Sequence, residues 1–69
     1  MKQYDIFILK EDLNPEIKSA MEGVILEIYH NDTIEVEFVK EDGSNYEYKG
    51  QATFTIKKDI IYLKESASR

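Results

Sequence analysis

Apolar and polar positions alternate with a period of two in two stretches of this chain. In residues 23–29, Val24, Leu26 and Ile28 fall on one side and Ile25, Glu27 and Tyr29 on the other. In residues 33–39, Ile34, Val36 and Phe38 alternate against Thr33, Glu35, Glu37 and Val39. A period of two is the signature of a pleated strand with one buried face. The short polar segment His30-Asn31-Asp32 lies between them and predicts a hairpin. Parity then restricts the register. Even positions must lie opposite even positions, with Ile28 facing Ile34 or Val36, because an odd register sets Ile28 against a glutamate on a buried face. Both even registers gather Glu27, Glu35 and Glu37 on one solvent face.

Three further segments have strand character. Residues 4–9 are rich in β-branched and aromatic side chains and predict a first strand. Tyr46 to Tyr48 and Gln51 to Ile56 predict strand interrupted at Lys49-Gly50, with Ala52, Phe54 and Ile56 inward and Thr53 and Thr55 outward. Lys57-Lys58-Asp59 predicts a tight turn before a last strand at residues 60–63. Between the first two strands, Asn14 and Pro15 predict one short helical turn over residues 15–21, with Asn14 as its cap and Ile17, Ala20 and Met21 inward. Asp42-Gly43 marks the second hairpin turn. Short strands joined by tight turns predict an all-β fold, a small five-stranded SH3-like barrel. The domain is expected to span residues 1–65, with a frayed tail at 66–69.

Composition narrows the functional classes. The chain has 69 residues, no cysteine, no tryptophan and one histidine. At roughly 100–200 residues per domain it is a single small unit. Without cysteine there is no disulfide, thiol nucleophile or cysteine-based metal site. No run approaches the ~18 apolar residues of a membrane span, and Ile6–Leu9 is too short for the core of a signal peptide. These features lead to the expectation of a cytoplasmic, bacterial-type protein. The net charge of -5 is unevenly placed, since residues 11–50 hold eleven acids against Lys18, Lys40 and Lys49. An acidic centre disfavours binding to nucleic-acid phosphates and favours steering toward a basic partner.

Candidate chemistry is sparse. Glu27, Glu35 and Glu37 read first as a solvated face that discourages edge pairing, next as a docking face for a basic partner, and last as a divalent-cation site. The cation reading lacks the Asp-rich loop pattern of calcium sites. Paired carboxylates can hydrolyse glycosides, but only in a cleft that desolvates one of them, for which this chain has little room. His30 sits in a turn without a nucleophile, so no triad is available. No enzymatic activity, cofactor or metal is therefore expected. Phe7, Phe38 and Phe54 belong to the core. Tyr29, Tyr46 and Tyr48 are candidates for an interface beside carboxylates or for the barrel rim.

The ordered set Tyr4-Asp5-Ile6, Glu11-Asp12-Leu13 with Pro15, Gly23-Val24-Ile25 with Glu27 and Tyr29, Glu35-Val36-Glu37-Phe38 and Glu41-Asp42-Gly43 resembles a family of short bacterial proteins, domain of unknown function 4926. The likeness covers roughly residues 3–63. Where that family has a second glycine shortly before the one matching Gly23, this chain has Ala20 or Met21, and its stretch from Tyr46 to Ala52 is longer. The resemblance implies an SH3-like barrel. It also implies an immunity or antitoxin role, since members of the family often neighbour small toxin-like proteins.

The expectation is thus a small acidic protein that binds and neutralises a cognate basic toxin, such as a nuclease. Its partner-binding residues would be Glu27, Tyr29, Glu35, Glu37, Glu41, Asp42, Tyr46 and Tyr48. Neither nucleic acid nor membrane is an expected partner. The alternative is a nucleic-acid- or ribosome-associated barrel of the KOW type, for which Lys57-Lys58 is the one basic loop. An SH3 domain for proline-rich peptides would need an aromatic groove, and the chain has no tryptophan.

Overall fold

Five stretches form strands in the computed structural model, which describes residues 1–65. The strands are β1 (Ile6–Leu9), β2 (Glu22–Ile28), β3 (Thr33–Phe38), β4 (Thr53–Lys57) and β5 (Ile61–Glu65), with a 3-10 turn at Lys58–Ile60 before β5. They make one sheet in the order β4-β3-β2-β1-β5, with every neighbouring pair antiparallel. The fold is all-β and has the SH3-like arrangement that the pattern predicts. The sheet is not closed, so β4 and β5 form its edges. The expected tail at 66–69 lies outside the described residues.

The core lies on the inner face of this bent sheet. Phe7, Leu9, Ile25, Ile34, Val36, Phe38, Phe54, Ile56 and Ile61 are buried there, together with Ile17 from the β1–β2 connection. The three phenylalanines form its centre. Phe7 meets Phe38 edge to face at 5.6 Å between ring centroids, and Phe38 lies 5.8 Å from Phe54. Edge and tilted contacts bring the positive ring edge against a negative face, adding about 0.5–1.5 kcal/mol per pair to the burial itself.

The register of β2 departs from the parity expectation. Near the turn, Ile28 pairs with Ile34 and Glu27 with Glu35, as an even register requires. Beyond Leu26, however, Ile25 pairs with Val36, Val24 with Glu37 and Gly23 with Phe38, which is an odd register. The shift between Ile25 and Glu27 is a β-bulge that leaves Leu26 without a cross-strand partner. Val24 therefore faces outward, and Ile25, placed outward by simple alternation, is fully buried. Hydrogen bonds from the N-terminal segment support the bulge. The Gln3 side chain donates to the Leu26 carbonyl at 2.9 Å, and Tyr4 N–H donates to the Ile25 carbonyl at 2.6 Å. Turning Gly23 inward also makes room for the ring of Phe7, its partner across β1–β2.

The connection between β1 and β2 differs as well. Residues 15–21 form bends and a turn rather than a helical turn. Asn14 Oδ1 does accept from the N–H groups of Glu16 and Ile17, as a cap would. The N–H groups of Leu13 and Asn14, however, both donate to the Ile17 carbonyl, folding the segment back and anchoring Ile17 in the core. Ala20, expected inward, is exposed, with φ +75°. Its N–H donates to the Leu9 carbonyl and steers the chain into β2.

The β3–β4 connection holds two isolated bridges, Val39–Asn45 and Tyr48–Gln51, in place of a strand at 46–48. Lys49 and Gly50, at φ +52° and +81°, make the two-residue turn that reverses the chain between Tyr48 and Gln51. Positive φ at both central residues is the backbone twist that a tight hairpin requires.

Candidate protein-binding face

Side chains that point away from the core on β2 and β3 form the acidic face. Glu27 lies directly opposite Glu35, while Glu37 lies opposite Val24 on β2 and Thr53 on β4. Tyr29, just past β2, reaches the same face, and its hydroxyl donates to Glu35 Oε1 at 3.4 Å. Thr55 on β4 donates to the same oxygen at 2.6 Å. Asn45 Nδ2 donates to Glu37 Oε1 at 3.0 Å. The face is therefore an ordered row of carboxylates whose neighbours are mostly hydroxyl and amide donors.

These donors set the electrostatics. The Thr55 hydroxyl holds the Glu35 carboxyl below the usual glutamate range against the opposing effect of partial burial, with Thr53 and Tyr29 adding to the lowering. A carboxylate that accepts hydrogen bonds is favoured in its charged form. Partial desolvation raises the Tyr29 phenol above its usual value, and the Glu35 and Glu27 charges raise it further. At neutral pH, Glu35 is thus the acceptor and Tyr29 the donor.

The other candidates lie elsewhere. Glu41 and Asp42 sit in the turn after β3, where Asp42 Oδ1 accepts from the N–H and hydroxyl of Ser44. The Ser44 hydroxyl, followed by its N–H, lowers the Asp42 pKa. The structure does not bring Tyr46 and Tyr48 into the row of glutamates. Both are half-buried against the core, with the Lys40 and Lys49 ammonium groups 5.2 and 5.5 Å from their respective ring centroids. His30 is exposed in the β2–β3 turn. Among the described residues, no group of three histidines, cysteines or carboxylates is placed to hold a metal ion, and no helix is long and apolar enough to cross a membrane.

Two features escape simple alternation. Asp5 is almost fully buried, and its carboxylate accepts from Lys2 N–H at 2.7 Å, closing the turn that leads into β1. The second is an apolar hollow of about 450 Å³ on the outer sheet face, whose lining includes Ile6, Met21, Val24, Val39 and Tyr46. The unbroken apolar run Ile6–Leu9 is its sequence signal, because a strand apolar on both faces has an outer face to cover.

Comparison of the chain with protein-family models, with curated proteins and with solved structures finds no match.

Proposed function

We propose that this chain is an acidic protein-binding module of the immunity or antitoxin kind, which captures and blocks a basic toxin such as a nuclease. The observation that carries this reading is the row Glu27, Glu35 and Glu37 on one sheet face, with Tyr29 hydrogen-bonded into it. Like charges set opposite each other in a sheet work against folding, so a surface that concentrates them is well explained by a partner of opposite charge. Such a face speeds encounter and rejects wrongly charged partners. Tyr29 adds rigid amphipathic contact area at its edge. The resemblance to short bacterial proteins that neighbour toxins points in the same direction.

The test is co-expression with the product of the adjacent gene, reading complex formation and rescue of growth. Absence of both overturns the proposal. In the complex, Glu35→Lys combined with Glu37→Lys should slow association about tenfold or more and flatten its salt dependence. An unchanged rate would remove these residues from the interface.

The KOW-type alternative has weaker support. Lys58 is paired with Asp32 at 3.8 Å, and the polar hollow around Lys57 and Lys58 also contains Asp59. A basic loop balanced by carboxylates presents little net positive charge to phosphates.

A further inference from the structure

We infer that the apolar hollow on the outer face is the socket for one apolar or aromatic side chain of a basic protein partner, whose cationic residues lie along the neighbouring glutamates. This inference rests on the acidic-face reading and adds to it the kind of residue that the partner presents. The geometry joins the two regions. Val24, on the floor of the hollow, is the cross-strand partner of Glu37, so the apolar floor continues directly into the row of Glu37, Glu35 and Glu27. Ile6 extends the floor across β1, Met21 and Val39 supply apolar walls, and Tyr46 stands at the side under Lys40.

Charge identifies the occupant. In the lining itself Lys40 offsets Glu41 and Lys64 pairs with Glu22, so the charge that selects the occupant is that of the adjoining glutamate row. Among the described residues, no lysine or arginine is ion-paired with Glu27, Glu35 or Glu37. Interfaces place a fully desolvated apolar anchor at the centre with polar and charged groups around it. A hollow of about 450 Å³ beside that row has room for a large apolar or aromatic side chain together with the backbone on either side of it. The bulge at Leu26 creates the arrangement, because without it Val24 would turn into the core and the floor would be lost.

The test uses two lysine/arginine heptapeptides that differ only in a central phenylalanine or serine, titrated into the full chain by NMR. The phenylalanine peptide should bind about tenfold more tightly, the gain of burying one aromatic side chain partly. It should also shift the amides of Met21, Val24, Val39 and Tyr46 along with those of Glu35 and Glu37. Val24→Ser should remove the difference between the peptides, and Val39→Gln gives the same readout if the first variant folds poorly. Glu35→Gln with Glu37→Gln should weaken both peptides alike. Equal affinity for the two peptides, or no binding of either, overturns the socket. Equal affinity that still depends on Glu35 and Glu37 overturns the socket alone and leaves the acidic face standing. A phenylalanine preference that ignores both glutamates upholds the socket and overturns the acidic-face reading.

Discussion

Ala20 occupies a backbone conformation that suits glycine. Its φ of +75° puts the β-carbon close to the following carbonyl, which costs about 1–2 kcal/mol for an L-residue. The side chain is exposed, and the N–H bond to Leu9 does not depend on it. Ala20→Gly removes the strain, while the freer unfolded chain costs about 0.4–1 kcal/mol. The net expectation is a gain of about 0.5 kcal/mol, read as a higher urea midpoint. A lower midpoint would show that Ala20 is not strained. The usual rule is the reverse, because alanine normally stabilises where it replaces glycine. The strain itself was not legible beforehand, because residues 15–21 carry a helix cap and a proline. Those signals are satisfied by Asn14 Oδ1 without any helix following.

At the level of elements, β2 depends on Gly23. A β-carbon there would lie 2.5 Å from Phe7 Cζ and 2.6 Å from the Glu37 carbonyl oxygen. The ring has some freedom to move, but a carbonyl within a paired strand does not. Gly23→Ala should therefore destabilise the fold by about 2–3 kcal/mol, at the upper end of overpacking costs. Thermal melting checks this, and a loss below the error of the melt would mean that β2 shifts freely. The same strand marks how far alternation carries. The turn-proximal pairs Ile28–Ile34 and Glu27–Glu35 are one of the two registers that parity leaves open, and the short turn selects it. Past Leu26 parity fails, since a bulge depends on contacts with the N-terminal segment at Gln3 and Tyr4 that are distant in sequence. The inward faces of β3 and β4, which carry no bulge, were readable throughout.

The charge distribution acts on the molecule as a whole. A chain of this size buries only about 60% of its unfolded surface, so small repulsions weigh on a thin margin. Glu27→Lys would turn the direct repulsion with Glu35 into an attraction and should stabilise the fold by about 0.5 kcal/mol. The same change should slow capture of a basic partner. Added salt should raise the melting temperature of the native chain more than that of the variant, because it screens the repulsion that the variant lacks. A variant that is no more stable, with the same salt response, would mean that the row costs nothing. The all-β, five-stranded architecture and the Glu27, Glu35 and Glu37 row were both legible from alternation, which reports faces well. The hollow was not, because it is assembled from β1, β2 and the β3–β4 connection, and its floor depends on the displaced half of β2.

The extra residue at Leu26 has a last consequence for how this chain is matched to others. It works as a phase slip, so that a single strand obeys two alternations half a period apart. Any alignment built on hydrophobic rhythm alone threads residues 23–25 one step out of phase, exchanging the roles of Val24 and Ile25. A relative that carries the slip elsewhere, or lacks it, could share this architecture while its outer surface holds a wholly different set of side chains.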